Sequence, residues 1–339
     1  MSKKIVVAMS GGVDSSFTAH LLQTKGYEVI GVYMKFHPRE EYHQKNIANI
    51  EKVAKHLGIE YHLLDRTKEF QERVYQPFVD GYVAGLTPNP CAMCNRVMKF
   101  TELIEFADRL GVEKVATGHY AKTDGKFIYE ATDKSKDQSY FLFNLKKEFL
   151  PRIIFPLGDW HKEDVKKEAM KIPLLKSIAE QKESSEICFV ETNYIDVLKE
   201  HTEVEMPGEV VDTHGKVIGE HKGYMHYTIG KRKGFRLFKA HQPHYVLDII
   251  PHKNRIVVGT KEQLEKRQII LRGLNMFLDQ KEFDCYIKIR YRTHKVPCHV
   301  KIDGSVASVT LKEPVYGVAK GQAGVFYDEE KVLGGGWIV

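Results

Sequence analysis

Short apolar runs alternate with amphipathic segments over the first 120 residues of the chain. Ile5 to Met9 is a β-branched run, Ser15 to Lys25 carries one apolar face, and Glu28 to Met34 is apolar again. This order predicts a strand, a helix and a second strand. The alternation continues with a helix over Ile47 to Leu57, a strand at Ile59 to Leu64, helices over Phe70 to Tyr82 and Val97 to Leu110, and a strand at Lys114 to Thr117. Four strands separated by helices predict an α/β fold with a doubly wound parallel sheet.

The pattern changes beyond residue 120. Asp124 and Gly125 predict a hairpin turn, and Asp159 predicts the cap of the next helix. Residues 171–205 show a mixed pattern that includes a short helix at Tyr194 to Lys199. After Pro207 the period becomes two, and strands alone fill the C-terminal part, which predicts a small β-barrel. We therefore expect three domains, at residues 1–165, 166–268 and 269–339, of which the second is a mixed connecting domain.

The composition excludes fibrous, disordered and membrane-spanning classes of protein. Of the 339 residues, 42% are hydrophobic and 28% are charged. No apolar run approaches the roughly 18 residues of a transmembrane helix, and the first run is too short for a signal peptide, so we expect a soluble, cytoplasmic protein. The five cysteines would then stay reduced and be available for catalysis or metal binding. The net charge of +6 permits an anionic partner without requiring one.

A glycine-containing loop follows the first predicted strand and leads directly into a helix. It comprises Ser10, Gly11, Gly12, Val13, Asp14, Ser15 and Ser16. Glycines let a backbone approach a ligand, and free N–H groups at a helix start attract an anion, so the loop predicts a phosphate site. It has neither a Lys nor the G-x-G-x-x-G spacing, which argues against γ-phosphate cleavage and against a dinucleotide. Asp14 would suit a magnesium ion, whereas the alternative is a plain turn with Asp14 or Ser15 as helix cap.

Three cysteines stand out as candidates for chemistry. Cys91 and Cys94 follow two prolines, and Cys94 opens a predicted helix with Arg96 and Lys99, which favours a reactive thiolate. Cys188 lies far along the chain in an apolar run, so a buried, unreactive thiol is an equal alternative there.

The other two cysteines and a zinc site are less suitable interpretations of the cysteine pattern. Cys285 and Cys298 alternate with apolar residues on strand faces, where core packing is the better interpretation. A structural zinc site needs four ligands, and the sequence has no second close cysteine pair. Three cysteines fit a cluster with an open position better than they fit zinc.

The phosphate loop and the cysteines together give a family resemblance. Ser10 to Ser15 resembles the loop of the HUP-like PP-loop enzymes, which cleave ATP between its α and β phosphates and adenylate a substrate. Motifs in order along the whole chain are then similar to those of the bacterial tRNA-specific 2-thiouridylases. These motifs are residues 87–95, 99–100, 117–120, 136–142, 187–189, 219–234, 290–292 and 321–326.

The resemblance implies ATP-dependent 2-thiolation of the wobble uridine of tRNA. ATP would adenylate the C2 oxygen, and sulfur carried on a cysteine would displace AMP. Cys94 would be the nucleophile and Cys188 the persulfide carrier, with a disulfide between them as an intermediate. The residues implied to hold ATP with Mg²⁺ are Ala8, Met9, Ser10, Gly11, Gly12, Val13, Asp14, Ser15, Met34 and Gly118. Those implied to contact the tRNA or its target base are Asn89, Pro90, Cys91, His119, Lys136, Asp137, Gln138, Arg290, Tyr291 and Gln322.

Two sequence departures keep a second sulfur chemistry open. Cys91 stands where many members of the family carry Asp, and Glu186 stands where Gly is usual. Cys91, Cys94 and Cys188 resemble the iron–sulfur site of related thiolases, in which a free iron binds sulfide. Persulfide transfer and cluster-bound sulfide are both hypotheses, and the third cysteine ligand favours the cluster. We also expect the segment from Lys182 to Glu191 to move over the site when substrate binds.

The expected partners are tRNA and a sulfur donor. Residues 221–247 contain six Lys or Arg and no acidic residue, interleaved with aromatic residues, as phosphate contact and base stacking require. We predict that Lys231, Arg232 and Lys233 bind the tRNA backbone, the alternative being a solvated loop whose aromatics belong to a β core. The sulfur source would be a cysteine desulfurase, a sulfur-relay protein or sulfide, and the working unit a monomer.

Two other function classes remain as alternatives. A PP-loop synthetase that amidates a nucleotide or a small acid would turn over without tRNA. An RNA-binding protein with a structural metal cluster would release no pyrophosphate from ATP.

Overall fold

Three β-sheets organise the chain, which the computed structural model describes over residues 3–181, 187–239 and 242–339. The strands in chain order are β1 (Lys3–Ala8), β2 (Tyr27–Lys35), β3 (Glu60–Asp65), β4 (Lys114–Ala116), β5 (Ala121–Thr123), β6 (Ile128–Glu130), β7 (Ile153–Ile154), β8 (Gly208–Val211), β9 (Val217–His221), β10 (Arg236–Leu237), β11 (Tyr245–Ile250), β12 (Arg255–Gly259), β13 (Glu265–Met276), β14 (Glu282–Lys288), β15 (Val296–Asp303), β16 (Val306–Tyr316), β17 (Ala323–Asp328) and β18 (Lys331–Ile338). The α-helices are α1 (Val13–Thr24), α2 (Glu40–Leu57), α3 (Thr67–Phe70), α4 (Gln76–Val83), α5 (Pro90–Cys94), α6 (Phe100–Arg109), α7 (Ser139–Leu142), α8 (Lys162–Met170), α9 (Pro173–Ala179) and α10 (Tyr194–Lys199). Short 3₁₀ turns lie at Lys147–Arg152, Tyr224–His226, Pro251–Lys253 and Glu262–Leu264.

The N-terminal sheet is parallel and has the strand order β3-β2-β1-β4-β7. Both of its faces are buried, because Val6 packs with α6 on one side while Ile5 and Val7 pack with α1 and α2 on the other. The strand order reverses between β1 and β4, so the loops that follow these two strands meet at the carboxyl edge of the sheet. The predicted doubly wound α/β architecture is confirmed.

Two helical segments of this domain each contain a π turn. The turn Gln71–Tyr75 joins α3 to α4, and the turn Asn95–Lys99 joins α5 to α6. The second segment begins at Pro90 rather than near Val97, because proline suits the first turn of a helix and the Asn89 side chain accepts the Ala92 N–H at 3.2 Å. Cys91 and Cys94 therefore lie within the first turns of a helix. The expectation that Cys94 opens that helix is wrong, since Cys94 is the last residue of α5.

The central and C-terminal sheets are mainly antiparallel. The central sheet has the order β10-β9-β8-β12-β11, and only the β8–β12 pairing within it is parallel. The C-terminal strands run β13-β16-β15-β14-β17-β18, and a pairing between β18 and β13 closes them into a six-stranded barrel. The predicted small barrel is thus confirmed. Across the described ranges, no helix combines the length and the apolar character that crossing a membrane requires.

The predicted hairpin at Asp124 and Gly125 forms, but it joins the barrel sheet. Strand β6 pairs with β18, so the hairpin β5–β6 extends the C-terminal sheet from the first domain. The predicted cap at Asp159 is wrong, because that carboxylate binds Lys122 at 2.9 Å. Helix α8 begins at Lys162, whose backbone N–H donates to Asp133 Oδ2 at 3.0 Å. The cap comes from a residue 29 positions earlier, which no local pattern could reveal.

Candidate active site

The glycine loop after β1 is organised by its own serines. Gly12 occupies the cap position of α1, and its carbonyl accepts the Ser15 and Ser16 hydroxyls at 3.1 and 3.0 Å. The Ser10 N–H donates to Ser15 Oγ at 3.0 Å. The alternative in which Asp14 or Ser15 is a plain helix cap is therefore wrong. The start of α1 therefore lies at the edge where strand order reverses, as an anion site requires.

At two positions of the site, backbone from another segment comes so close that only glycine fits. Gly11 has φ of 81°, and a Cβ there would lie 2.8 Å from the backbone of Asn46 in α2. Asn49 of the same helix donates to the Gly11 carbonyl at 3.1 Å. A Cβ at Gly118, after β4, would lie 3.0 Å from the backbone of Asp14 and Ser15. The structure thus brings Gly118 against the loop, as the resemblance implied.

Asp14 of the loop is bound by a buried lysine that sequence reasoning missed. Lys162 Nζ lies 2.7 and 2.6 Å from the two carboxylate oxygens, and the Tyr120 hydroxyl donates to Asp14 Oδ1 at 2.8 Å. The Lys162 side chain is 7% exposed and that of Asp14 is 31% exposed. The loop itself has no lysine, and α8 supplies one through the fold. The only sequence signal was the lack of a cation in a predicted phosphate loop.

Asp14 remains a chemically suitable ligand for Mg²⁺. Magnesium on a nucleotide commonly uses one or two carboxylates together with phosphate oxygens and water. The Asp14 carboxylate is a donor of that type at the start of α1, although Lys162 and Tyr120 hold it here. A magnesium ion carried by the phosphates would therefore have to share Asp14 with Lys162.

The thiols lie close to one another in space. Cys94 belongs to an apolar cluster with Met98, Phe189 and Val190, so the segment after Cys188 packs beside α5. Cys91, Cys188 and Lys99 are near enough to Cys94 for their charges to shift its pKa. The structure thus brings together Cys94 and Cys188, which are far apart in sequence.

Burial dominates the acidity of Cys94. The side chain is 9% exposed, and desolvation raises the pKa of its thiol to about 12 although the Lys99 ammonium opposes that shift. The predicted reactive thiolate is therefore wrong for the resting state. Arg96 does not help, because its guanidinium donates to Asn144 and to Asn275 Oδ1 at 2.9 Å. A nucleophilic Cys94 must lose its proton during the reaction.

Cys188 differs from Cys94 in its access to solvent. Cys188 is exposed, so the alternative of a buried structural cysteine is wrong. Protein atoms nevertheless crowd its sulfur, and this desolvation raises the pKa of the thiol, opposed by Lys99 and Arg39. Because the residue is exposed, a donor can approach it from outside. Residues 182–186 of the predicted moving segment lie outside the described residues.

A tyrosine and histidine network separates Cys188 from the phosphate loop. Tyr33 and Tyr42 lie near enough to Cys188 for a thiolate charge there to raise the pKa of both hydroxyls. The Asn46 amide lies beside both hydroxyls. His43 Nε2 donates to the His37 carbonyl at 2.6 Å, so its Nδ1 accepts the Tyr33 hydroxyl at 2.5 Å. Asn46 in turn abuts Gly11. Tyr33, Tyr42 and Asn46 therefore lie in the region between the phosphate loop and Cys188.

The geometry does not support the three-cysteine metal hypothesis. Over the part of the chain that the structure describes, no three His, Cys, Asp or Glu side chains are grouped so that they could hold a metal ion. Cys94 belongs to an apolar cluster whereas Cys188 is exposed, so these two thiols have different surroundings. The residues present do not fit an iron–sulfur cluster.

Lys99 is positioned by a buried histidine. Its ammonium donates to His119 Nε2 at 3.4 Å, and His119 Nδ1 lies 2.7 Å from Thr117 Oγ1. Burial and the Lys99 charge hold the pKa of His119 well below its usual range, so the ring is neutral. His119, implied to contact tRNA, is thereby placed beside the thiol site.

Several residues implied to contact tRNA are already held by protein groups. Asp137 is buried and accepts the N–H groups of Ala131 and Ser139, while Gln138 Oε1 accepts the Tyr120 N–H. Asn89 and Pro90 are both buried. Arg290 Nη2 donates to the Ile229 and Gly317 carbonyls. The Tyr291 ring contacts Phe141, and the Gln322 amide donates to the Thr87 carbonyl. Lys136 lines a cavity of about 510 Å³ beside α8. These contacts show that the motif residues hold neighbouring segments of the protein together, and their direct contact with tRNA stays a prediction.

The basic segment of the central domain has mixed character. Tyr224 and Tyr227 are buried in the central core, whereas Phe238 is 58% exposed. Lys231, Arg232 and Lys233 are exposed, although Lys231 Nζ also donates to the His226 carbonyl at 2.7 Å. The core interpretation holds for most of the aromatics, and the exposed cations remain available to an anionic partner. His241 of this segment lies outside the described residues.

Cys285 and Cys298 pack in the barrel core as predicted. They face each other across β14 and β15 with their sulfurs 3.5 Å apart.

A parallel sheet with a glycine phosphate loop at its switch point defines the HUP class of nucleotide-binding domains with a PP-loop. The family model described as tRNA methyl transferase HUP domain matches residues 3–192. The models described as tRNA methyl transferase PRC-barrel domain and Aminomethyltransferase beta-barrel domain match residues 195–260 and 266–338.

Full-length relatives specify the family within this class. The tRNA-specific 2-thiouridylase MnmA of a Nitratiruptor species is 96% identical over 339 residues, which covers 100% of both chains. That of Sulfurimonas denitrificans is 57% identical over 338 residues, covering 100% of this chain and 99% of the relative. That of Campylobacter jejuni subsp. jejuni serotype O:6 is 56% identical over 336 residues, or 99% of each. The chain belongs to the tRNA-specific 2-thiouridylase family, so the resemblance drawn from its motifs is confirmed.

Proposed function

We propose that this protein is an ATP-dependent tRNA-uridine 2-sulfurtransferase that replaces the C2 oxygen of the wobble uridine with sulfur. The observation that carries the proposal is that Cys94 and Cys188, which are distant in sequence, lie near each other in the domain that holds the phosphate loop. An amidating synthetase has no use for such a pair of thiols. A structural metal cluster has no matching ligand group in the described residues.

The first step activates the uridine. The C2 oxygen attacks the α-phosphorus of ATP, a new P–O bond forms, and the bond to the β-phosphate breaks to release pyrophosphate. Gly11 and Gly12 let the backbone approach the phosphates, and the start of α1 attracts their charge. Lys162 and Asp14 set the local charge. When bound, Mg²⁺ would neutralise part of the triphosphate charge, with Asp14 as its protein ligand.

The second step delivers sulfur. A donor persulfide transfers its outer sulfur to Cys188, giving a Cys188 persulfide and a donor thiol. The outer persulfide sulfur attacks C2, a C–S bond forms, and the C–O bond breaks so that AMP leaves. Cys94, after losing its proton, attacks the inner sulfur of Cys188. This forms a Cys94–Cys188 disulfide and leaves the outer sulfur on the uridine as a thiocarbonyl. A dithiol reductant then restores both thiols.

The residues around the thiols suit this sequence of steps. Cys188 is exposed, so a sulfur donor can reach it, whereas buried Cys94 is shielded from competing oxidants. Lys99 stabilises the Cys94 thiolate once it forms, because its ammonium favours the charged state. A cysteine desulfurase or a relay protein that carries a persulfide would serve as this donor. Sulfide would serve only by attacking the Cys94–Cys188 disulfide, which gives a Cys188 persulfide and a Cys94 thiol and takes the place of the dithiol reductant.

The test combines nucleoside mass analysis with thiol variants. The protein is incubated with ATP, unmodified tRNA and a small-molecule persulfide, and we expect 2-thiouridine with one pyrophosphate and one AMP per product. Cys188→Ser should lose thiolation yet retain tRNA-dependent pyrophosphate release. Cys94→Ser should accumulate a reductant-sensitive covalent adduct between enzyme and tRNA, and Cys91→Ser should stay active.

Three outcomes would count against the proposal. Turnover of ATP with a small acid but without tRNA would favour the synthetase alternative. The lack of any tRNA-dependent pyrophosphate would favour a non-catalytic RNA-binding protein. Loss of activity in Cys91→Ser together with bound iron would favour cluster chemistry over persulfide transfer.

A further inference from the structure

The loop from Ala84 to Asn89 leads directly into the helix that carries Cys94, and it has few hydrogen bonds of its own. The first three N–H groups of this loop close the end of α4, by donating to the carbonyls of Asp80, Tyr82 and Gly81. Beyond them, Pro88 and Pro90 have no N–H to donate. The Thr87 N–H is therefore the first donor that could fix the loop to another part of the protein.

The C-terminal barrel makes that connection. The Thr87 N–H donates to the Lys320 carbonyl at 2.8 Å. Gln322 Nε2 donates back to the Thr87 carbonyl at 3.0 Å and approaches the Pro88 carbonyl at 3.5 Å. We call residues 320–322 the barrel clasp. Its bonds to Thr87 join the barrel to a loop more than 230 residues earlier in the chain.

Steric contact restricts the same junction. Gly321 has φ of 89°, and a Cβ there would lie 3.1 Å from Leu86 Cβ and 3.2 Å from the Thr87 carbonyl oxygen. The barrel holds the clasp in place, because the Gly321 N–H donates to the Ile338 carbonyl at 2.9 Å and the Ile338 N–H donates to the Gln322 carbonyl at 2.8 Å. Hydrogen bonds to the last barrel strand therefore hold the clasp at the place where the loop lies against it.

The loop is also linked tightly to the thiol helix. Asn89, two residues after Thr87, caps α5 through the Ala92 N–H, and its carbonyl accepts the Met93 N–H. A shift of the Thr87 backbone would therefore move the first turn of α5, which contains Cys91 and ends at Cys94. In catalysis, displacement of a reacting group by about 1 Å can cost a hundredfold in rate.

We propose that the barrel clasp positions the thiol helix, so that Gln322 is a positioning residue for sulfur transfer. This inference rests on the proposed function, in which Cys94 attacks Cys188. The motif resemblance implied instead that Gln322 contacts tRNA. The two roles differ in what they control, since a tRNA contact sets the affinity for tRNA, whereas the clasp sets the rate of the bound complex and the stability of the free loop.

The experiment compares Gln322→Met with a matched control, Gln280→Met. Methionine keeps the length of glutamine and removes the amide donor, and Gln280 is an exposed residue on another barrel loop. Hydrogen exchange of the peptide that spans residues 84–95 is measured first, without tRNA or ATP. We expect the Thr87 region to exchange at least about fivefold faster in Gln322→Met only, as loss of one or two hydrogen bonds would give.

Kinetics then separate the two roles. In Gln322→Met we expect kcat for thiolation to fall about five- to tenfold while the Kd for tRNA stays within twofold, and in Gln280→Met we expect neither to change. A raised Kd for tRNA, with unchanged kcat and unchanged hydrogen exchange of residues 84–95, would overturn the proposal that the clasp positions the thiol helix. Gly321→Val, which forces the loop away, should show the same pattern more strongly. If the protein does not thiolate tRNA at all, the proposed function fails, and the exchange measurement still decides whether the clasp holds the loop.

Discussion

Replacing Lys162 with methionine tests whether the Lys162–Asp14 ion pair is needed for ATP to bind at the phosphate loop. In the native structure the Lys162 ammonium contacts both oxygens of Asp14 at 2.7 and 2.6 Å. Methionine has a similar length and no charge, so Lys162→Met leaves the Asp14 carboxylate uncompensated at the start of α1. The loop would then carry one extra negative charge where a triphosphate has to bind.

The size of the effect follows from the charges and their exposure. Two unit charges about 5 Å apart repel with roughly 3 kcal/mol at an effective dielectric constant near 20. Asp14 is 31% exposed, so solvent screening reduces this to about 1–2 kcal/mol. Because 1.4 kcal/mol is tenfold in affinity, we expect the Kd for ATP to rise about 5- to 30-fold. The unpaired carboxylate should also cost about 1–3 kcal/mol of folding stability.

Equilibrium binding of ATP without Mg²⁺, so that no metal ion neutralises Asp14, and urea unfolding measure the two effects. Lys167→Met, an exposed lysine in the same helix, is the matched control and should change neither quantity. The double variant Lys162→Met with Asp14→Asn should regain most of the lost stability, because no unpaired charge remains. An ATP affinity of Lys162→Met within twofold of the parent protein would refute this account of the loop.

Three further predictions concern the basic segment, the Cys94 thiol and His37. Changing Lys231, Arg232 and Lys233 to alanine should lower the salt-dependence slope of tRNA binding by about three, one per lost phosphate contact, and an unchanged slope would remove them from the interface. Because the pKa of Cys94 is about 12, its alkylation rate should rise about tenfold per pH unit from pH 7 to 10 without a plateau, as peptide mass analysis can follow. Burial lowers the pKa of His37 to about 4, so folding stability should fall as pH drops from about 6.5 toward 4, and His37→Phe should weaken that dependence in urea titrations.

Periodicity in the sequence predicted the layers of the fold because it reports burial. Val6 and Val32 each belong to a short, continuous apolar run. Such runs are typical of a parallel sheet, because helices cover both of its faces and every strand residue is buried. Alternation near Cys285 and Cys298 predicted the barrel for the same reason, because one face of each strand lies in the core. Local pattern failed where an interaction came from a distant segment, as in the cap that Asp133 gives to α8.

The candidate site likewise has features that local motifs predicted and features that depend on contacts between distant segments. The glycine loop and the cysteine pair at Cys91 and Cys94 are contiguous motifs, so the sequence alone predicted a phosphate site and a thiol chemistry. It could not predict that Lys162 supplies the missing cation, because that contact spans 148 positions. It also predicted a thiolate at Cys94 from nearby cations, whereas burial in the folded protein raises the pKa to about 12.

What the sequence determined by itself was the set of local structures and chemically capable residues, since hydrophobic period, glycine and proline act over a few positions. Tertiary structure alone decided which residues meet. It placed Cys94 beside Cys188, turned Gln322 toward Thr87 and left Cys188 exposed, because desolvation and close contact depend on chain segments that no local pattern relates to each other.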